Sequence, residues 1–113
     1  MRIECIYDEA RVIVEDDLLL TKTSQQQDQI LAYFSDKVNH YELVILDLTA
    51  CSLIDSMGVG LIATLYKYFA KYGVYFRVCV PQNNVFRVLQ QCRMTTFMDI
   101  RAYPAGVRAG SLA

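Results

Sequence analysis

Residues 43–72 read LVILDLTACSLIDSMGVGLIATLYKYFAKY, and the fold follows from how this stretch is parsed. Leu43 to Leu48 is almost continuously apolar and rich in branched side chains, as a strand covered on both faces should be. A short polar turn and a second brief apolar segment follow, and then a helix whose first turn holds Asp55-Ser56-Met57-Gly58. From Gly58 onward the apolar residues recur at helical spacing, which leaves Gly60, Thr64, Lys67 and Lys71 as one narrow polar stripe. A serine hydroxyl, that of Ser56, is thereby placed at the start of a mostly buried helix and close to the surface.

Before this stretch, Ile3–Tyr7 and Arg11–Glu15 are β-type runs separated by Asp8-Glu9-Ala10, which predicts a hairpin. Leu18-Leu19-Leu20 reads as a continuation of the second strand past a bulge. Ser24-Gln25-Gln26-Gln27 has the S-x-x-Q form of a capping box, and Ile30, Leu31, Phe34 and Val38 mark one apolar face of the helix it opens. After the central stretch, Gly73 stands where a left-handed helix cap belongs, and Val74–Val80 is a strand closed by Pro81. Asn83 or Asn84 can cap a third helix with inner face Val85, Val88, Leu89 and Cys92, and Phe97–Ala102 is a last strand. Tyr103 onward, with Gly, Pro and small residues, reads as a flexible C-terminal tail over 103–113. The order is ββαβαβαβ, an antiparallel pair followed by βα units that enforce parallel neighbours. Tyr and Phe at 66, 68, 69, 72, 75 and 76 fall on faces assigned to the core.

The 113 residues suffice for one domain with a real core and not for two. The 54% hydrophobic and 20% charged content is that of a globular chain. No uncharged apolar run reaches the ~18–20 residues that span a bilayer, and the N-terminus has no signal-peptide core, so a cytoplasmic protein without membrane association is expected. Four separated cysteines (5, 51, 79 and 92) and one histidine, His40, offer neither a zinc site nor a redox pair; the cysteines read as structural, with Cys5 and Cys79 as small hydrophobes in strands. The charge is lopsided. Residues 1–55 hold 4 basic and 11 acidic side chains, and residues 56–113 hold 7 basic and 1 acidic. With no basic cluster interleaved with exposed aromatics, nucleic acid is not an expected partner. Either the two halves face each other in the fold, or a charge-complementary protein meets one of them.

Two sites of known type fail on inspection. Arg11–Asp17 and Val44–Leu48 resemble the acidic pair and phosphoacceptor strand of a two-component receiver. The 30 residues from Asp17 to Asp47 are too few for the intervening βα unit, and the required lysine on the last strand is absent. Gly58-Val59-Gly60 lacks the further glycines and the Lys-Ser/Thr pair of a phosphate loop, so these glycines read as permitting close helix approach. Nor is there an organised nucleophile with a base, and neither catalysis nor a cofactor is expected.

Asp55-Ser56-x-Gly58 alone could be an ordinary helix cap. Its context is more telling: an apolar strand ending in Asp47-Leu48, then Ile54-Asp55-Ser56-x-Gly58-x-Gly60-Leu61, then a strand, a Pro/Asn turn and a helix ending in Val88-Leu89. Over about 60 residues this resembles the STAS domain, and within it the bacterial anti-sigma factor antagonists. The resemblance implies a single STAS-type α/β domain over residues 1–102, with a mixed sheet of four to five strands and helices mainly on one side. It also implies a partner-switching phosphoprotein that regulates transcription. Unphosphorylated, such a protein binds an anti-sigma factor that is also a serine kinase of the histidine-kinase ATPase type, and frees the sigma factor. Phosphorylation at the serine matching Ser56 abolishes binding, and a serine phosphatase resets the switch. The docking face is expected to include Asp55, Met57, Gly58, Leu61 and Thr64 and the loop from Asp17 to Ser24. There Thr21 stands where the family commonly carries a recognition aspartate. The family's usual glycine near Arg93 is also missing, so the third helix needs another cap. The alternative is a constitutive scaffold subunit, stressosome-like or transporter-associated, whose serine is never modified.

Overall fold

The computed structural model describes residues 1–104 and 107. Strands β1 (Arg2–Ile6) and β2 (Glu9–Ile13) form the opening hairpin, and helix α1 (Leu20–Phe34) crosses to β3 (Leu43–Asp47). Helix α2 (Ser56–Lys71), β4 (Tyr75–Pro81), α3 (Asn84–Gln91) and β5 (Asp99–Tyr103) complete the ββαβαβαβ order. The five strands lie in one sheet in sequence order, with β1–β2 antiparallel and the other three pairings parallel.

Alternation along the strands divides the sheet into two unequal faces. Val12, Val44, Leu46, Val78 and Val80 point into the main core, where they meet Ile30 and Phe34 of α1, Leu61, Ile62, Leu65 and Phe69 of α2, and Val85 and Leu89 of α3. Phe34 and Phe69 meet edge to face at 5.1 Å and join α1 to α2. Among the described residues the opposite face has a small cluster, Ile45 and Cys79 with Leu43 and Tyr103, to which no helix contributes. Helices therefore cover one side of the sheet.

Several elements begin or end elsewhere than the sequence pattern indicates. The hairpin turn is Tyr7-Asp8, while Glu9 and Ala10 are in β2; Ala10 is fully buried, and core burial draws it into the strand. Leu18 does not extend β2. It forms an isolated parallel bridge with Ile54, and Leu20 already begins α1. Ser24 thus lies inside α1 and opens no capping box; the N-cap is Leu19, without a side-chain cap bond. The inner face of α1 begins with buried Thr23 and Gln26, two polar residues that hide the helix start from an apolar pattern. Thr23 satisfies its hydroxyl on the Leu19 carbonyl at 2.9 Å. Cys5 and Cys92 are exposed, not core, whereas Cys51 and Cys79 are buried. Cys5 lies in edge strand β1, its thiol 3.2 and 3.3 Å from the Tyr33 and Tyr41 hydroxyls. Of the aromatics assigned to the core, Phe69 and Phe76 are buried, Tyr66 and Tyr68 half-buried, and Tyr72 and Tyr75 exposed, at the end of the sheet where the α2 layer stops. Tyr103 pairs with Pro81 in β5; the rest of the expected tail, apart from Pro104 and Val107, lies outside the described residues.

The caps of α2 and α3 match expectation at three ends. Asp55 and Asn83 accept backbone N–H groups at the N-termini, and Gly73 has φ +71 after α2. At the end of α3, Arg93 itself takes the left-handed conformation, φ 59, that a glycine would adopt without strain. A Cβ there is unfavourable by about 1–2 kcal/mol, partly offset by the lower unfolded-state entropy of a non-glycine residue. Arg93→Gly should therefore stabilise the domain by about 0.5–1 kcal/mol in urea unfolding, and an equal destabilisation would contradict this account of the cap.

Candidate functional site

The loop from Leu48 to Asp55 leaves the C-terminal end of β3 and delivers the chain to α2. Asp47, buried at that strand end, accepts from the Thr49 backbone N–H at 3.0 Å and the Thr49 hydroxyl at 2.6 Å, and faces Arg11 at 3.5 Å. Asp17 holds the middle of the loop. Its Oδ1 accepts from the Ser52 and Leu53 N–H groups at 2.7 and 3.1 Å, and the Ser52 hydroxyl donates to both carboxylate oxygens. The Ser52 backbone bond is the main reason the Asp17 carboxyl titrates below its ordinary range. From the far side, the Asn83 side-chain amide donates to the Cys51 carbonyl at 3.3 Å, tying the same loop to the cap of α3.

The loop's last residues are stapled to the segment before α1. Leu18 N–H donates to the Leu53 carbonyl and Asp55 N–H to the Leu18 carbonyl, both at 3.2 Å. Asp55 then caps α2, its Oδ1 accepting from the Met57 and Gly58 N–H groups at 3.1 Å each. Ser56, the first residue of α2, is exposed. Two residues on, Gly58 is buried against this staple. A Cβ there would stand 2.6 Å from Ile54 Cγ1 and 2.7 Å from the Leu18 carbonyl oxygen. Leu61, Ile62 and Phe69 behind it are fully buried.

The structure separates the proposed docking residues. Ser56 and Met57 are exposed, Met57 at 43%, and Asp55 and Thr64 are half-buried. Leu61 is a core residue and offers no surface; Gly58 acts only by letting the helix approach. Thr21 lies in the first turn of α1, and its side chain is outside the described residues. Leu53, 48% exposed, was missed in the sequence, whereas Leu19, 37% exposed, lies in the expected Asp17–Ser24 segment; the staple sets both beside this helix start. Apolar residues in loops carry no periodic signal, although the pairing of Asp17 with a loop some 35 residues on is a tertiary fact that no local pattern encodes. Cys51 is no nucleophile: burial pushes its thiol up to about 12. Among the described residues no group of three His, Cys, Asp or Glu could hold a metal, and no helix is long and apolar enough to cross a membrane.

A known domain model, that of the STAS domain, matches residues 6–105, the span that holds the clamped loop and the capped helix start. The chain belongs to the STAS domain family. Among solved structures, this STAS domain is similar to the crystal structure of a Thermotoga maritima protein described as a candidate anti-sigma factor antagonist. The TM-score is 0.77 and the identity 21%, covering 88% of this chain and 84% of that one. The solution structure of the same protein gives a TM-score of 0.71 at 20% identity, over 88% of this chain and 78% of that one. No curated protein matches the chain.

Two outcomes test the clamp. Gly58→Ala should destabilise the domain by about 1–3 kcal/mol, because the methyl meets backbone and a β-branched side chain that cannot yield cheaply; a change below ~0.5 kcal/mol would remove the close-approach argument. Asp17 has a lowered folded-state pKa, so its contribution is present above the ordinary carboxylate value of 3.8 and is lost as pH falls through the folded value. Amide exchange at Ser52 and Leu53 should accelerate below that range relative to the β3 amides, and Asp17→Asn should abolish this pH dependence.

Proposed function

We propose that this STAS domain is an anti-sigma factor antagonist, a non-enzymatic switch thrown by phosphorylation of Ser56. The observation that carries the reading is the exposure of Ser56 at the first residue of α2 while the helix behind it is anchored in the core. A kinase can reach that hydroxyl without opening the fold. The partner is a serine kinase that doubles as an anti-sigma factor, with a histidine-kinase-type ATPase fold, and a serine phosphatase reverses the modification. These roles rest on the resemblance of Ile54–Leu61 to the antagonist motif, and a cytoplasmic setting follows from them.

The chemistry at the site is consistent with this. A phosphate adds about −1.5 to −2 charge within one residue of the Asp55 carboxylate, which already occupies the Met57 and Gly58 N–H groups. The helix end tolerates the anion, being the positive end of the dipole. A partner docking on Met57, Leu53 and Leu19 would have to desolvate it. Binding is therefore lost by charge, bulk and desolvation at the docking face, with the core unchanged.

Binding of the cognate kinase to Ser56→Ala and Ser56→Asp, with parallel melting curves, checks the proposal. The Ala form should bind as the unmodified protein does and trap the kinase. The Asp form should bind roughly tenfold or more weakly with stability within about 1 kcal/mol of the parent. Equal binding of both forms, or absence of a species about 80 Da heavier at Ser56 in protein from its host, would favour the constitutive scaffold instead.

A further inference from the structure

The ion pairs described in the fold do not cross the charge asymmetry of the sequence. Arg2–Glu15, Arg11–Asp47 and Lys22–Asp16 pair inside residues 1–55, and Arg77–Asp99 and Arg101–Asp99 pair inside residues 56–113. Among the described residues no ion pair joins the two halves. The strand order places them on opposite flanks, β1 and β2 on one and β4 and β5 on the other.

Each flank also carries one unexplained apolar feature. At the acidic flank the β1–β2 turn presents Tyr7, 98% exposed, beside Ile6, 67% exposed. Tyr7 has φ 55, a conformation unfavourable for a bulky residue, at a turn where glycine or asparagine would sit without strain. Asp8 and Glu9 follow it in the chain, and Glu42 is joined to the turn, its N–H donating to the Asp8 carbonyl at 2.8 Å. At the basic flank is a cleft of about 220 Å³ lined by Tyr66, Ala70, Val74, Tyr75, Phe97 and Asp99. Phe97 and Tyr75 are each 55% exposed, and the Tyr66 and Phe97 rings meet edge to face at 5.6 Å. Lys67 and Lys71, both exposed, follow the two α2 positions that line it. Asp99, the only acid in residues 56–113, is already held by Tyr75, Arg77 and Arg101.

We infer that the cleft takes the Tyr7 turn of a second copy of this chain, so that two copies form a two-fold dimer through the end of the sheet where the parallel strands begin. An aromatic knob on an acidic turn meets an aromatic-walled hole whose helix carries Lys67 and Lys71 next to the lining positions, a complementarity that gives an interface both an anchor and a register. Knob and hole lie at the same end of the sheet: Glu9, Leu43 and Tyr75 are partners in one row across β2, β3 and β4. Being side by side on one surface, they are exchanged by a two-fold axis between copies, so each contact is made twice and the assembly closes. Ser56 follows the opposite ends of these strands and stays accessible in the dimer. The inference is independent of whether Ser56 is modified.

Sedimentation of the full chain over a range of protein and salt concentrations tests it. The expected result is a monomer–dimer equilibrium with a dissociation constant on the order of micromolar, weakening as salt rises. Tyr7→Gly should weaken the dimer roughly 100-fold while leaving the melting temperature equal or higher, since glycine suits the turn. Asp8→Lys with Glu9→Lys, and separately Lys67→Glu with Lys71→Glu, should each weaken association about tenfold or more; all four changes in one chain should recover it. A monomer at about 1 mM, open-ended oligomers, or a dimer indifferent to Tyr7→Gly would each overturn the inference.

Discussion

One close approach organises this molecule: the start of α2 seats against the backbone of Leu18 with no atom to spare. Gly58 is the residue that permits it, because a Cβ would stand 2.6–2.8 Å from Ile54 Cγ1 and from the Leu18 carbonyl oxygen and Cβ. The parallel bridge between Leu18 and Ile54 and two backbone hydrogen bonds draw the segment before α1 onto the segment before α2. With that seat in place, the 3.6-residue repeat does the rest. Gly58, Leu61, Ile62, Leu65 and Phe69 turn inward, and Ser56 and Met57 have no direction left but outward.

The same seat decides what a charge at Ser56 can and cannot do. Asp17 and Asp55 each hold two consecutive backbone N–H groups of the chain between Ser52 and Gly58. The loop is thus fixed by charge-assisted bonds before any partner arrives. Two charges about 4 Å apart near a surface interact by ~1–4 kcal/mol. That is enough to change a partner's affinity by one to three orders of magnitude. Undoing α2 is a larger task, since each buried Leu, Ile or Phe on its inner face contributes ~1.5–3 kcal/mol. A modification here is read at the surface long before it is felt in the core.

What the sequence disclosed followed the strength of its periodic signals. β3, α2 and β4 were legible because apolar runs and the helical stripe of Gly60, Thr64, Lys67 and Lys71 point to one solution. The start of α1 was not, because the residues that face inward there, Thr23 and Gln26, are polar. Gln26 even leaves its buried Oε1 without a partner among the described residues, a cost that no pattern would anticipate. At the site, Ser56 and its cap Asp55 were readable as a motif. Leu61 was not separable from Met57 by sequence, since both are apolar residues near a helix start; only the burial of one and exposure of the other distinguishes them. The segment from Asp17 was placed at the site, but Leu53 and the clamping role of Asp17 escaped because they come from a contact between distant segments.

The distribution of charge was legible as a number and ambiguous as a structure, and its resolution bears on how the domain is used. Had the acidic and basic halves faced each other, their ion pairs would cross the sheet; instead the five among the described residues stay within their own half. The reason is topological. Strands placed in sequence order turn a division along the chain into a division across the molecule. A βα-crossover fold then has two ends of different character. At the ends of the strands, the loop and helix start that hold Ser56 are pinned by carboxylates. At their beginnings, an aromatic knob and an aromatic cleft sit side by side with opposite charge around them. Under the two proposals made above, a phosphate at Ser56 would alter the first end without disturbing the second, provided the sheet between them stays rigid. The fully buried layer of Val12, Leu46 and Val78 between the two ends supplies that rigidity.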